Sequence, residues 1–347
     1  MRATFRRILE EARLQSVDLV LIAGDLFEHD RVTPDTVEFL RQQLGGLGGI
    51  RVFIAPGNHD PFIQGSPYRE ELWPSNTHIF RAEAFHTVEL ADLGVRVAGF
   101  GFTRTHVPEH PFSALSPMPA GGINLVVAHG SDLARVPGGK SSHAPLTIDE
   151  IAGKNVHYCA LGHYHEQRPV ANAIDATEVW YSGIPEGRAW DEEGDCGYLL
   201  GEVADGRVRV ERRVCSQYPL RTMAVNCGEF TSREQVIDAI REQGADVLDA
   251  RTILRVRLFG AIDPKLDLST SELEARLAED LLGVFWDDQT QAALDFESIA
   301  GENTLRGRFA RTMNGRIEKA SGKEREVLER ARLYGLQALS GQEVHLR

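Results

Sequence analysis

Four short segments place possible metal ligands and acid–base groups directly after apolar runs. They are Gly24-Asp25, Gly57-Asn58-His59-Asp60, His129-Gly130 and Gly162-His163-Tyr164-His165. Each preceding run is typical of a buried strand, and ligands in open α/β sheets bind at the carboxyl ends of the strands. A Gly-Asp turn or a lone histidine is usually structural, whereas four such segments in succession predict one shared site.

The side chains of these segments suit divalent metal chemistry. Carboxylate, amide oxygen and neutral imidazole bind borderline ions such as Mn²⁺, Fe²⁺ or Zn²⁺, and the chain offers Asp25, Asn58, His129, His163 and His165. His163 and His165 are close enough in sequence to serve two adjacent ions. Two ions roughly 3.5–4 Å apart clamp a phosphate and lower the pKa of a bridging water, which is the usual device for phosphate-ester hydrolysis.

The first two segments fall within a predicted strand–helix–strand unit. A helical pattern over Ala3–Leu14 precedes an apolar run at Val17–Ala23, a helix over Thr33–Leu44 and a second strand at Arg51–Ala55. Thr33 is the expected N-cap of its helix, with Pro34 at the first helical position. This order predicts that the two strands pair in parallel.

Further patterns divide the rest of the chain. Strands are predicted at Thr87–Leu90, Val95–Phe100, Ile123–Ala128, Tyr158–Leu161, Gly197–Val203 and Arg207–Arg213, the last two completing a second sheet, and a short helix begins at Thr147. Near residue 218 the character changes to strands at Arg221–Asn226 and Thr252–Phe259 with helices at Ser232–Gln243, Ser271–Leu281, Thr304–Ala320 and Lys323–Leu339. We therefore expect three parts: residues 1–217, a small α+β domain at 218–300, and C-terminal helices at 301–347.

Composition excludes some classes of protein. With 38 Lys and Arg against 51 Asp and Glu, the net charge is −13, which argues against non-specific coating of nucleic acid but not against an enzyme with a local phosphate site. The four cysteines lack the paired spacing of a zinc site, and their scarcity suits a reducing cytoplasm. No segment is long and apolar enough to span a membrane, so we expect a cytoplasmic protein with no membrane partner.

The four motifs resemble those of a known family. Gly24-Asp25-Leu26-Phe27-Glu28, Gly57-Asn58-His59-Asp60, Val127-Ala128-His129-Gly130 and Gly162-His163-Tyr164-His165 are similar to the ordered motifs of the calcineurin-like metallophosphoesterases. The layout looks most like the DNA repair exonuclease branch, the SbcD-type and YhaO-type nuclease subunits, over residues 1 to about 200. The resemblance implies an α/β fold, a two-sheet α/β/β/α sandwich with a dinuclear, usually manganese, centre, followed here by a small capping domain and a helical tail.

The resemblance also implies a role for each motif residue. Asp25 would bridge both ions, Asn58, His129 and His163 would complete one metal site, and His165 would belong to the other.

A second set of roles surrounds the scissile phosphate. His59 would be the catalytic histidine that is not a ligand, and imidazole is well matched to proton transfer near neutral pH. Glu28 stands where many relatives have Asp and is interpreted as a partner of His59, whereas Asp60 is interpreted as a structural turn residue.

One motif of the family is absent. Relatives open with a strand ending in Asp-X-His that supplies two ligands to the first metal, and no Asp-X-His precedes Asp25. We favour a start upstream of Met1 or a truncated chain. The alternatives are a single-metal or inactive relative, and a replacement ligand such as His29 or Asp30.

The predicted function is metal-dependent phosphodiester hydrolysis, most simply as a DNA repair exonuclease with two divalent ions, Mn²⁺ first and Fe²⁺ or Zn²⁺ as alternatives. Expected partners are DNA and a coiled-coil ATPase, and a homodimer is also compatible. The alternatives are hydrolysis of a small nucleotide or phosphomonoester, and a catalytically impaired scaffold.

Other features of the sequence say less about function. The C-terminal helices are locally basic, although interleaved Glu residues favour a solvated face over a DNA surface. His143 is expected at the rim of the site or simply at the surface. The remaining histidines carry no motif and are expected to be structural or exposed: His78, His86, His106, His110, His157 and His345.

Overall fold

A computed structural model describes residues 1–136, 141–170, 177–263, 266, 268–341 and 344. The chain forms two compact units, residues 1–221 and residues 222–347.

The first unit begins with the predicted strand–helix–strand arrangement. Its elements are α1 (Arg2–Leu14), β1 (Leu19–Ile22), α2 (Pro34–Gly45), β2 (Arg51–Ile54), the single turn α3 (Pro67–Glu70) and β3 (Thr77–Ile79). Strands β1, β2 and β3 form a parallel sheet in that order, with Leu19 opposite Arg51. Parallel pairing brings the carboxyl ends of β1 and β2, and therefore the first two motifs, to the same edge.

Local sequence explains where α2 begins. The side chain of Thr33 accepts a hydrogen bond from the backbone N–H of Thr36, and Pro34 occupies the first turn, where no intrahelical N–H is needed. The apolar side of the helix, including Leu40 and Leu44, packs with Leu9 of α1 against one face of the sheet.

A second, six-stranded sheet carries the other two motifs. Its strands are β4 (His86–Leu90), β5 (Val95–Gly99), β6 (Ile123–His129), β7 (Tyr158–Gly162), β8 (Arg168–Pro169) and β9 (Glu178–Tyr181), in the spatial order β4-β5-β6-β7-β9-β8. The four central strands run parallel and both edge strands run antiparallel to their neighbours. The parallel register places His129 opposite Gly162, so the last two motifs are also adjacent.

The two sheets stack face to face. Phe53 and Ala55 of the first sheet pack against Val97, Leu125 and Val127 of the second, while helices cover the outer face of the first sheet. The predicted α/β/β/α sandwich is thus confirmed. Its fourth layer, however, is built from loops and the short 3₁₀ turns Pro111–Ala114 and Ile148–Glu150 rather than from α-helices.

The two sheets approach each other closely at the end of β7. Strand β7 ends at Gly162, where an added Cβ would come within 1.8 Å of the carbonyl oxygen of Ala23, at the end of β1. Both groups are backbone, so neither can rotate away.

We expect Gly162→Ala to force β1 and β7 apart. The outcome should be a loss of stability of several kcal/mol, as for other overpacked cores, measured by chemical denaturation. Gly49→Ala is the control for the loss of glycine flexibility. Gly49 also lies in the first unit, has no positive φ, like Gly162, and no atom lies within 4 Å of its added Cβ. Equal stability of the two variants would contradict the expectation.

The rest of the chain begins with a separate β-hairpin. Among the residues that the structure describes, strands β10 (Gly197–Ala204) and β11 (Arg207–Val214) pair only with each other, so the prediction that they complete the second sheet is wrong. They are linked by Asp205 and Gly206, both at positive φ, a turn of the tight type that favours an isolated hairpin.

The second unit combines a three-stranded sheet with helices. It contains β12 (Leu220–Asn226), α4 (Arg233–Gly244), β13 (Ile253–Ile262), α5 (Thr270–Leu277), β14 (Gly283–Ala292), α6 (Phe296–Gly301), α7 (Leu305–Ile317) and α8 (Gly322–Leu339). Ser232 and Gln235 form a capping box at the start of α4. Helices α4 and α5 share one core with the sheet, and α6, α7 and α8 form a smaller one. None of the helices described here has the length and apolar character needed to cross a bilayer.

Candidate metal centre

Asp25 lies in the turn that directly follows β1. Its backbone has a φ of +54°, a conformation that Asp and Asn tolerate better than other side chains. One carboxylate oxygen accepts the backbone N–H of His59 at 3.0 Å, which ties the first motif to the second. Burial alone would raise the pKa of Asp25, but the imidazole of His129 and the bond from His59 hold that pKa below its usual value. The carboxylate is therefore poised to remain charged.

His129, at the end of β6, is fully buried between the two sheets. Its Nδ1 donates to the carbonyl oxygen of Ala23 at 2.8 Å, which leaves Nε2 as the nitrogen directed at the first two motifs. Nε2 lies 3.0 Å from Oδ1 of Asn58 and 3.4 Å from Oδ2 of Asp25. A Cβ on Gly57 would be 2.4 Å from the Asp25 carboxylate, so the loop needs glycine for this approach.

The chemistry of these three atoms fits a cation. With Nδ1 protonated, the neutral imidazole presents a lone pair at Nε2, and both oxygens are acceptors as well. A divalent ion among Asp25, Asn58 and His129 would satisfy all three. Within the described residues, however, no three His, Cys, Asp or Glu side chains meet closely enough to hold a metal by themselves. A metal ion at this position would therefore also use the amide oxygen of Asn58.

His163 continues this cluster as a row of imidazoles. It follows β7 at a φ of +105°, and its ring centroid lies 5.2 Å from that of His129. On its other side lies His143, at 5.3 Å, followed by His106 at 4.7 Å from His143. Burial, then His106 and His129, lower the pKa of His143. For His143 the sequence left the rim of the site and the surface as alternatives, whereas His106 was expected to be structural or exposed.

His165 has a different environment. Its Nδ1 lies 2.6 Å from a carboxylate oxygen of Glu192, a residue that the sequence did not single out. His165 is one-third exposed and Glu192 nearly buried, at 8%.

His59 and Glu28 form the pair that the sequence predicted. Nδ1 of His59 lies 2.7 Å from Oε2 of Glu28, and both side chains are substantially exposed, at 51% and 41%. The ring is thus held from one side and open to solvent on the other. Such an arrangement suits a residue that meets a substrate from outside.

Asp60 does more than complete its own turn. Its carboxylate is fully buried and accepts the backbone N–H groups of Gly57, Asp25 and Leu26 at 2.7, 2.9 and 2.8 Å. The hydroxyl of Tyr68 donates to it as well, at 2.8 Å. All these donors hold the carboxylate in place, so Asp60 is the link that fixes the Asp25 turn against the Asn58 loop.

The suggested replacement ligands, His29 and Asp30, have other neighbours. The backbone N–H and Nδ1 of His29 both lie within 3.0 Å of the carbonyl oxygen of His59, and Asp30 is 3.8 Å from Arg31. His345 lies outside the described residues.

Comparison with known proteins agrees with this geometry. Residues 1–167, which hold all the motifs, match the family model for calcineurin-like phosphoesterases. This part of the chain belongs to the calcineurin-like phosphoesterase family. The phosphoesterase family uses divalent metal ions, which is consistent with the donor set of Asp25, Asn58 and His129.

Two relatives extend the phosphoesterase match. The chain is 27% identical over 257 residues to YhaO of Bacillus subtilis, named an uncharacterized metallophosphoesterase, with 71% of this chain and 62% of that protein covered. It is 26% identical over 341 residues to the DNA double-strand break repair protein Mre11 of Methanopyrus kandleri, with 88% and 72% covered. The match therefore spans less than two thirds of the Bacillus protein.

Proposed function

We propose that the protein hydrolyses phosphodiester bonds in DNA with the help of divalent metal ions. The observation that supports this most directly is the convergence of Asp25, Asn58 and His129 at the carboxyl ends of three strands. His163 would complete that site and His165 would serve a second one. Mn²⁺ is the proposed ion, with Fe²⁺ or Zn²⁺ as alternatives, because carboxylate, amide and imidazole donors suit all three.

Each residue has a distinct task in this proposal. When bound, the metal ions supply charge that neutralises the phosphate and lowers the pKa of an attacking water. Asp25 and His129 would hold the metal ions. The carboxylate of Asp25 also fixes the backbone of His59 by accepting its N–H. Glu28 orients the imidazole of His59 so that the opposite nitrogen can protonate the leaving oxygen.

DNA is favoured over smaller substrates by one comparison. The Methanopyrus relative is named as a double-strand break repair protein, and its match continues beyond the phosphoesterase region into the second unit. The net charge of −13 favours a small nucleotide or phosphomonoester instead. The third alternative is a catalytically impaired scaffold.

The same relative supports proposals about partners. We propose a complex with a coiled-coil ATPase, for which the exposed Val327 on α8 offers an apolar contact, and a homodimer as the alternative. The basic tail is a weaker DNA surface than its composition indicates. Arg306 pairs with Glu302, and Arg311 donates to the carbonyl oxygens of Ala300 and Glu302.

His59→Asn is expected to lower Mn²⁺-dependent cleavage of linear DNA by 10²–10⁴-fold, the usual contribution of an acid–base group. Mn²⁺ affinity should be unchanged, because His59 is not among the converging donors. Cleavage rates on labelled duplex DNA and on a nucleotide panel measure both the effect and the substrate class.

His110→Asn is the matched control for this prediction. His110 is also half-exposed, at 49%, and lies near a glutamate, Glu150. The His110→Asn variant should cleave DNA at the wild-type rate. Equal activity of the His59 variant and wild type would remove His59 from the mechanism, and a wild-type chain that binds no Mn²⁺ would favour the scaffold.

A further inference from the structure

We propose that Glu192 is a positioning residue that holds His165 with Nδ1 protonated and presents the Nε2 lone pair as the metal-binding atom. The use of that lone pair rests on the proposed function, whereas the orientation of the ring does not.

The hydrogen bond itself determines the tautomer. Glu192 Oε1 lies 2.6 Å from Nδ1 of His165, and an ionised carboxylate can only accept, so the proton must be on Nδ1. The second oxygen of Glu192 accepts the Arg188 N–H at 2.7 Å, which fixes the plane of the carboxylate.

The loop that carries Glu192 is braced by its own backbone. The N–H of Glu192 donates to the carbonyl oxygen of Ala189 at 3.0 Å, and the N–H of Gly197 donates to that of Ile184 at 3.0 Å. A Cβ on Gly187 would lie 2.5 Å from the carbonyl oxygen of Glu192, so the turn is closely packed. A carboxylate fixed in this way can hold the imidazole of His165 in one orientation.

The same arrangement of ring nitrogens is present at the neighbouring candidate ligand, His129. His129 donates its Nδ1 proton to the carbonyl oxygen of Ala23, and its Nε2 faces Asp25 and Asn58. His165 repeats this pattern with a carboxylate in place of a carbonyl. A carboxylate partner makes the other ring nitrogen more basic, and removal of such a partner typically costs 10–100-fold in metal affinity.

The pair differs from an ordinary surface contact. His110 and Glu150 are also neighbours, but they are 3.9 Å apart and the histidine is half-exposed. Glu192 is 8% exposed, and its second oxygen accepts the Arg188 N–H. Its first oxygen lies 2.6 Å from His165 and 3.6 Å from the Arg188 guanidinium. Burial of a charged group is costly unless it has fixed partners, so the pair of Glu192 and His165 is more than an incidental surface contact.

The tautomer of His165 can be measured without metal. In chelator-treated protein labelled with ¹⁵N-histidine, long-range ¹H–¹⁵N spectra distinguish protonated Nδ1 from protonated Nε2, and the signal is assigned by its loss in His165→Asn. We expect the wild type to show the Nδ1–H form alone. A wild-type spectrum of the Nε2–H form would overturn the inference before any variant of Glu192 is made.

Glu192→Gln then tests the consequence for metal binding. The glutamine side chain has one acceptor oxygen for two donors, the Nδ1–H of His165 and the backbone N–H of Arg188. We therefore expect a mixture of His165 tautomers and a Mn²⁺ affinity about 10–100-fold weaker by calorimetry. The circular dichroism spectrum should match that of the wild type. Glu166→Gln, next to His165 but 59% exposed, is the matched control and should match wild type in both readouts.

Two results are decisive in opposite ways. A Glu192→Gln protein with the wild-type tautomer and Mn²⁺ affinity within twofold of wild type would overturn the inference while leaving the proposed function intact. A wild type that binds no Mn²⁺ would overturn the proposed function, and the tautomer spectra would still decide the role of Glu192.

Discussion

Asp60→Ala is expected to destabilise the first unit by about 3–5 kcal/mol. The substitution leaves four buried donors without an acceptor, the N–H groups of Gly57, Asp25 and Leu26 and the hydroxyl of Tyr68. An unsatisfied buried donor costs about 1–3 kcal/mol, so four of them would cost about 4–12 kcal/mol. Part of that cost is offset, because the ionised carboxylate is itself unfavourable where it lies.

The offset follows from the pKa of Asp60. Burial, and then the charge of Asp25, raise that pKa from 3.8 to about 6. A carboxyl group with a raised pKa contributes its stability below pH 3.8 and loses it as the pH rises through about 6. The difference in unfolding free energy between wild type and Asp60→Ala should therefore be larger at pH 5 than at pH 8.

Denaturant unfolding followed by tryptophan fluorescence measures this difference. Trp73 packs 5.4 Å from Tyr68 and so reports on the neighbourhood of Asp60. Tyr68→Phe removes one of the four donors without creating an unsatisfied group and should cost only about 1 kcal/mol. If Asp60→Ala were no less stable than Tyr68→Phe, Asp60 would be an ordinary turn residue.

Asp25→Asn is expected to reduce Mn²⁺ affinity by at least about 10²-fold and cleavage by about 10³-fold, equivalent to about 4 kcal/mol of transition-state stabilisation. Of the three converging donors, Asp25 carries the negative charge. Asn58 and a neutral His129 cannot replace it, so loss of the charge should weaken the site far more than loss of a neutral donor.

The asparagine variant separates charge from architecture. Asn tolerates the backbone φ of +54°, and its side-chain oxygen can still accept the N–H of His59. The free energy of unfolding should therefore stay within about 1 kcal/mol of wild type. Denaturant unfolding followed by both fluorescence and circular dichroism would measure it. Asp25→Ala is the contrasting variant, because it removes both charge and acceptor. Retention of wild-type Mn²⁺ affinity by Asp25→Asn would exclude Asp25 as a ligand.

Local patterns predicted most of the first sheet and its helices. Thr33 and Pro34 identified the start of α2 because both act within one turn of the chain. The sequence analysis missed β3, β8, β9, β14, α3 and α6, and it misassigned the hairpin of β10 and β11. Short strands such as β3 have too few residues to show a period, and strand partners depend on the whole sheet.

The histidines illustrate the limit most clearly. Side-chain type and position after a strand marked His129 and His165 as candidate ligands, but the atoms that orient them are distant in sequence. Ala23 is 106 residues from His129, and Glu192 is 27 residues from His165. No local pattern could have selected either partner.

The sequence by itself determined which side chains reach the shared edge, because a residue that directly follows a parallel strand must lie at its carboxyl end. Only the tertiary structure decided which nitrogen of each histidine is available, that Asp60 links the two loops, and that His143 lies beside His163. These properties depend on contacts between elements far apart in the chain, which are set when the two sheets pack together.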